Sequence, residues 1–277
     1  MGARREAREA LAAAGLRPRK RWGQHFLCDP GVARRIVDTA ELGPRSVVLE
    51  IGPGLGALTD ELVARTGRLY LIEIDPGLAT RLAAQHANDP RVRVVEGDVL
   101  ALPLAEIVRE PAVTVVANLP YNIATPVLFR LLDLRARFPR AVVTLQREMA
   151  ARLAARAGSA AWGVTSVLVQ AFAEVRVAFG VSRRSFLPRP DVDSAVLDIR
   201  WSAGPRADLH DVDLFREVVR AAFGQRRKML RNALAALAQR RGVDLELACA
   251  RAGVASSARA ETLDLDAFAR LARALIP

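Results

Sequence analysis

From Val47 to Thr59 the chain reads Val-Val-Leu-Glu-Ile-Gly-Pro-Gly-Leu-Gly-Ala-Leu-Thr. A short apolar run is followed at once by glycines at 52, 54 and 56, then by a helical pattern. A strand that turns so sharply into a helix belongs to a parallel sheet, because the helix must carry the chain back before the next strand begins. The pattern recurs. Apolar runs at Val47–Ile51, Leu69–Ile74, Val92–Val95, Val113–Ala117 and Ala141–Leu145 alternate with helix-like stretches at Leu55–Ala64, Leu78–Ala87, Leu104–Val108 and Pro126–Leu134, and Gln146–Ala157 follows the fifth run. Nearly unbroken apolar strands indicate a sheet covered on both faces. Two later β-rich runs, Val175–Phe179 and Ala195–Trp201, flank a Pro/Arg-rich connection and are expected to pair as an antiparallel edge.

After Trp201 the character changes. Ser202-Ala-Gly-Pro-Arg206 reads as a linker, and only helical periodicity follows. Leu214, Phe215, Val218, Val219, Ala222 and Phe223 form one apolar stripe, and Leu263–Leu275 gives another helix with Asp264 as its cap. The expected architecture is therefore an α/β domain over residues 1–204 and a small all-helical domain over 205–277.

Composition narrows the function classes. With 51% hydrophobic and 26% charged residues, the chain has enough apolar side chain for a core, which excludes global disorder. No apolar run reaches the roughly 18–20 residues of a membrane helix, and the charged stretch from Met1 to Glu9 is no secretory signal. Two cysteines, Cys28 and Cys249, and three scattered histidines give neither a disulfide framework nor zinc-ligand spacing. A metal-free protein of the reducing cytoplasm is expected, with a monomer as the default. The net charge of +11 is local: residues 1–35 carry +6, residues 176–189 carry +4 and residues 216–241 carry +7. Such clustering favours an anionic partner tracked along a surface, nucleic acid before membrane.

The glycine loop also fits a dinucleotide fingerprint, so alone it does not separate NAD from S-adenosylmethionine. Gly52 and Gly54 let the backbone approach a ligand where a Cβ would collide. Glu73, ending the second strand, can accept both hydrogen bonds of a ribose diol, although Asp75 is an alternative; Asp98, ending the third strand, can accept from an adenine amine. The fourth strand ends in Asn118-Leu-Pro-Tyr121. An aromatic amine is a poor nucleophile because its lone pair is delocalised into the ring. The Asn118 side-chain oxygen and the Leu119 carbonyl can each hold one N–H and turn nitrogen lone-pair density toward the methyl of a sulfonium. Pro120 lacks a competing N–H, and Tyr121 can stack on the base. Catalysis of this kind is positioning and dipole placement, with neither metal nor strong base.

These motifs resemble those of the ribosomal RNA small-subunit adenine N6,N6-dimethyltransferase (dimethyladenosine transferase) family, over nearly the whole chain. Arg19-Lys-Arg-Trp-Gly-Gln-His-Phe-Leu27 is similar to its N-terminal motif, with His25 where asparagine is usual. Ser185-Phe-Leu-Pro-Arg-Pro-Asp-Val-Asp-Ser194 and Ala222-Phe-Gly-Gln-Arg-Arg-Lys-Met-Leu-Arg-Asn232 resemble two further signatures. The resemblance implies a Rossmann-like class I methyltransferase sheet of seven strands, the last antiparallel, and S-adenosyl-L-methionine as cofactor. It places the methionyl group near His25, Leu27 and Gly52, the ribose at Glu73, the adenine at Asp98 and the reaction at Asn118. Phe186 would face the target adenine opposite Tyr121, with core packing as its alternative. The implied substrate is 16S ribosomal RNA within the small subunit, dimethylated at two adjacent adenosines near its 3′ end. Arg19, Lys20, Arg21, Arg183, Arg184, Arg226, Arg227, Lys228 and Arg231 then become candidate phosphate contacts.

Four other readings compete, of which a DNA adenine methyltransferase would usually carry a larger recognition domain. A large-subunit RNA adenine methyltransferase conferring macrolide resistance shares fold and chemistry; Leu119 and Gln225-Arg-Arg-Lys228 lean away from it. An NAD-dependent oxidoreductase would need a proton-relay pair such as Tyr-x-x-x-Lys, but Thr125 lies four residues after Tyr121. A non-catalytic RNA-binding assembly factor would not need Glu73, Asp98 and Asn118 together.

Overall fold

A computed structural model describes residues 2–13, 15–19, 22–225 and 228–277. Nine strands are present among them: β1 (Phe26–Leu27), β2 (Val47–Ile51), β3 (Arg68–Glu73), β4 (Val92–Glu96), β5 (Thr114–Asn118), β6 (Arg140–Gln146), β7 (Ala173–Val181), β8 (Phe186–Leu187) and β9 (Ser194–Trp201). Seven form one sheet in the order β4-β3-β2-β5-β6-β9-β7, and β1 pairs with β8 in a separate two-stranded ladder. Strands β4, β3, β2, β5 and β6 are parallel neighbours. Their carboxyl ends therefore emerge along one edge, which gathers Gly52, Glu73, Asp98 and Asn118. The order reverses between β2 and β5, the crevice where open α/β sheets bind ligands.

The expected seven-stranded sheet is present, with its last strand β9 antiparallel to β6. β9 lies between β6 and β7, so the two late runs make the outer part of the sheet. A buried ion pair holds β9 to β6: Arg140 Nε and Nη2 donate to the two oxygens of Asp198 at 2.9 and 3.1 Å, a bidentate match of guanidinium to carboxylate. Sheet burial follows the sequence pattern. Val48, Leu49, Val115, Val116, Val142 and Val143 have no exposed surface, as a sheet covered on both faces requires.

The helix starts carry capping side chains. Asp29 accepts from the amides of Gly31 and Val32 to open Pro30–Thr39, and Asp75 accepts from Gly77 to open Pro76–Gln85. In both, proline sits in the first turn, where its missing N–H costs nothing. Each cap stabilises its helix by about 1 kcal/mol.

The chain divides into two compact units, Met1–Ala150 with Val175–Trp201, and Ala151–Glu174 with Ser202–Pro277. The change of composition at 204/205 lies close to the last of these junctions, Trp201/Ser202, but the second unit also takes in the segment Ala151–Glu174. Within it, Trp162 Nε1 donates to the Leu263 carbonyl at 2.9 Å. The helix over 146–157 is shorter than expected, Arg147–Leu153. The six residues of the apolar stripe are the buried residues of helix Val212–Gly224. Phe223 meets Phe268 at 5.6 Å between ring centroids. Asp264 caps Leu265–Ala274 through the Ala267 amide.

Candidate active site

At the carboxyl edge of the parallel strands lies an open cleft within the first unit. It takes its walls from the ends of β2, β3 and β5 and from the segment leading into β1. His25, Leu27, Gly52, Gly54, Glu73, Asp98, Asn118, Leu119, Pro120 and Tyr121 all line it. The sequence assigns them to two ends of one reaction, and the sheet brings them to one cavity.

The glycine loop is shaped by contact as well as by conformation. Gly52 and Gly54 have φ of +67° and +59°, in the left-handed region. A Cβ on Gly54 would stand 2.9 Å from Cδ1 of Phe26. The Gly54 amide donates to Glu73 Oε2 at 2.9 Å, and the Asp75 amide donates to Glu73 Oε1 at 3.0 Å. Burial pushes the Glu73 carboxyl above its ordinary range, while these two N–H groups pull it back. Each oxygen still has a second lone pair, as a ribose diol requires. Asp75, the alternative, is absent from the lining. Its Oδ1 caps a helix, and its Oδ2 faces Gln24 at 3.4 Å and Arg19 Nε at 3.7 Å. Asp98 is exposed at the cleft, with Oδ1 accepting from the Leu100 amide at 2.8 Å.

At the other end, Asn118 Nδ2 donates to the His25 carbonyl at 2.9 Å. A carbonyl only accepts, so this bond fixes which way the amide points. Oδ1 is left as the acceptor beside Leu119, whose amide donates to the Thr144 carbonyl at 3.3 Å. Tyr121 is half-buried, its hydroxyl is 2.8 Å from Ser194 Oγ, and burial raises its pKa. No group of three or more His, Cys, Asp or Glu side chains among the described residues is arranged to hold a metal ion.

Phe186 corrects its expected place opposite Tyr121. It does not line the cleft and is 1% exposed, packed with Leu27, Ile36 and Val196. The cause is strand alternation: the β1–β8 ladder pairs Phe186 with Leu27 on one face and Leu187 with Phe26 on the other. Phe186 takes the core side, and the ring that lies on Tyr121 is that of His25.

Sequence reasoning missed Glu50. It lines the cleft, is 1% exposed and accepts from Thr59 Oγ1 at 2.7 Å. Burial is the main cause that pushes its carboxyl up to about 8. A lone acid inside Val-Val-Leu-Glu-Ile was the available signal. Of the basic candidates, Arg19, Arg183, Arg184, Lys228 and Arg231 are exposed. Arg19 lies over the Trp22 ring at 4.7 Å, and Arg183 Nη1 donates to the Asp191 carbonyl at 2.8 Å. Lys20, Arg21, Arg226 and Arg227 lie outside the described residues.

The sequence profile of the family described as "Ribosomal RNA adenine dimethylase" matches residues 15–276. The chain belongs to this family. Among its relatives, the ribosomal RNA small subunit methyltransferase A of Moorella thermoacetica is 44% identical, with 94% of this chain and 93% of that protein aligned. The crystal structure of a dimethyladenosine transferase from Plasmodium falciparum superposes with a TM-score of 0.72 at 25% identity, covering 89% of this chain and 96% of that one. The 23S rRNA methyltransferase ErmE superposes with a TM-score of 0.69 at 30% identity, covering 90% and 99%. Family membership makes the chain a methyltransferase with a class I, Rossmann-like sheet and implies a methyl donor and a ribosomal RNA substrate. No helix among the described residues is long and apolar enough to cross a membrane.

Proposed function

We propose that this protein transfers methyl groups from S-adenosylmethionine to the N6 amines of two adjacent adenosines near the 3′ end of 16S ribosomal RNA, twice at each. The observation that carries the reading is the Asn118 amide, locked by the His25 carbonyl so that its oxygen serves as an acceptor in the cleft.

S-adenosylmethionine fits the residues present. Glu73 is the residue assigned to a ribose diol and Asp98 the residue assigned to the adenine, and both line the cleft. His25, Leu27 and Gly52 surround the methionyl end. When bound, the cofactor supplies a methyl carried on a sulfonium. The protein's part is to present the amine. In the first transfer Asn118 Oδ1 and the Leu119 carbonyl accept its two N–H bonds, which turns the nitrogen lone pair toward the methyl; the monomethylated amine is presented again with its one remaining N–H. Tyr121 stacks on the flipped base and offsets part of the few kcal/mol of unstacking. The acceptors are neutral, so the amine keeps its protons until the N–C bond forms and then releases one to solvent.

Exposed Arg183, Arg184 and Arg189 flank the Phe186 segment, and Lys228 and Arg231 lie on the helical unit. They supply phosphate contacts to an RNA helix read by shape and backbone. Residues 205–277 serve RNA recognition in this reading. The likeness to ErmE supports a second reading, methylation of 23S RNA. Undermethylated small subunits and unmodified large-subunit RNA, each incubated with labelled cofactor and digested to nucleosides, separate the two. N6,N6-dimethyladenosine from the small subunit is expected. Label confined to large-subunit RNA would reject the assignment.

A further inference from the structure

His25 is drawn in two directions. Its main-chain carbonyl holds Asn118 Nδ2. Its ring turns to Tyr121 and stacks there with centroids 5.6 Å apart and planes 29° apart. Nδ1 lies 2.8 Å from the Pro188 carbonyl. Because that carbonyl only accepts, Nδ1 carries the proton of this bond. The far end of Tyr121 is held as well: its hydroxyl meets Ser194 Oγ at 2.8 Å, and Ser194 has no exposed surface.

Tyr121 is thus gripped at two places by elements remote in sequence. A tyrosine fastened only at its hydroxyl can still rotate about its long axis, which changes the plane offered to a base. A ring pinned against its face removes that rotation. We propose that His25 is a positioning residue for the target base: its imidazole fixes the plane of Tyr121 against which the adenine stacks. This rests on the adenine methyltransferase reading given above. Asparagine, usual at this position of the motif, has no ring to stack, so this chain gains an aromatic contact that an amide lacks.

Full-length protein carrying His25→Ala, His25→Asn or His25→Phe tests the assignment. Cofactor affinity is measured by calorimetry, and kcat and KM for undermethylated small subunits are measured at saturating cofactor. His25→Ala is expected to lower kcat/KM for RNA by about tenfold at saturating cofactor, the scale of one aromatic pair. His25→Phe, which restores a ring face, recovers most of the loss; His25→Asn does not. A cofactor Kd weakened about tenfold with unchanged turnover at saturation overturns the proposal. So does a phenylalanine variant no better than alanine, or an alanine variant indistinguishable from wild type. Ser194→Ala releases the other end of Tyr121 and is expected to show the same loss, which keeps the two-ended grip refutable if the His25 variants do not fold. Wild-type protein that methylates neither ribosomal RNA overturns the underlying reading; an active wild type with variants that break the expected pattern overturns only the role of the imidazole.

Discussion

The side-chain amide of Asn118 is bonded to the main-chain carbonyl of His25, 93 residues earlier, at 2.9 Å. The end of β5 and the segment before β1 therefore set each other's geometry. The amide is not free to flip, because turning Oδ1 toward that carbonyl would oppose two acceptors. The acceptor proposed for catalysis is aimed by the main chain of His25, while the ring of that residue stacks on Tyr121.

Replacing Asn118 with alanine removes that acceptor. The expected loss is about 10²–10³ in kcat, the cost of one preorganised dipole at a reacting group, with RNA affinity retained. Single-turnover methylation and filter binding check both halves. Retained turnover would remove Asn118 from its role.

Glu50 gives the protein a pH signature. Its carboxyl is raised from an ordinary value of 4.5 to about 8, chiefly by burial. Between these values the folded chain keeps a proton that the unfolded chain has released, so stability falls as pH rises through that window and levels off above it. Glu50→Gln lacks this slope. Urea unfolding from pH 5 to 8.5 should show wild type losing on the order of a few kcal/mol relative to Glu50→Gln. Parallel curves would mean that Glu50 is ionised in the fold.

Gly54→Ala adds a methyl 2.9 Å from the Phe26 ring at a φ of +59°. The strain is expected to cost about 1–3 kcal/mol of stability. Cofactor affinity should fall too, since the Gly54 amide is bonded to Glu73. Thermal unfolding and calorimetry measure the two effects. An unchanged Tm would show that the loop relaxes at no cost.

Arg183 and Arg184 are exposed just before β8. Changing both to alanine should weaken RNA binding and flatten its dependence on salt, by roughly 0.7–0.9 in logarithmic slope for each phosphate no longer neutralised. Binding measured from 50 to 300 mM salt decides the matter. An unaltered slope assigns the phosphate contacts to other residues.

The seven sheet strands were legible because each is an apolar run bounded by turn residues, and their ends lie within a residue or two of the pattern. The same pattern located the cleft, since parallel strands leave their carboxyl ends together. What escaped is short or long-range. β1 and β8 have two residues each, too few for any periodicity. The membership of Ala151–Glu174 in the second unit depends on tertiary contacts, not on composition. Phe186 took its side from the alternation with Leu187, which a motif does not specify. The contacts of Tyr121 with Ser194 and of His25 with Pro188 span 73 and 163 residues, and nothing near either residue announces them.

Two long-range contacts set a timetable. Every residue that lines the cleft lies between Trp22 and Ile123, so the nascent chain has the whole set when less than half of it has been made. Yet His25 leans on Pro188, and Tyr121 leans on Ser194. During synthesis the site thus waits for roughly 70 further residues to leave the ribosome before its aromatic platform is set. A protein that modifies ribosomes would in this way become competent only after its own translation is well past the midpoint.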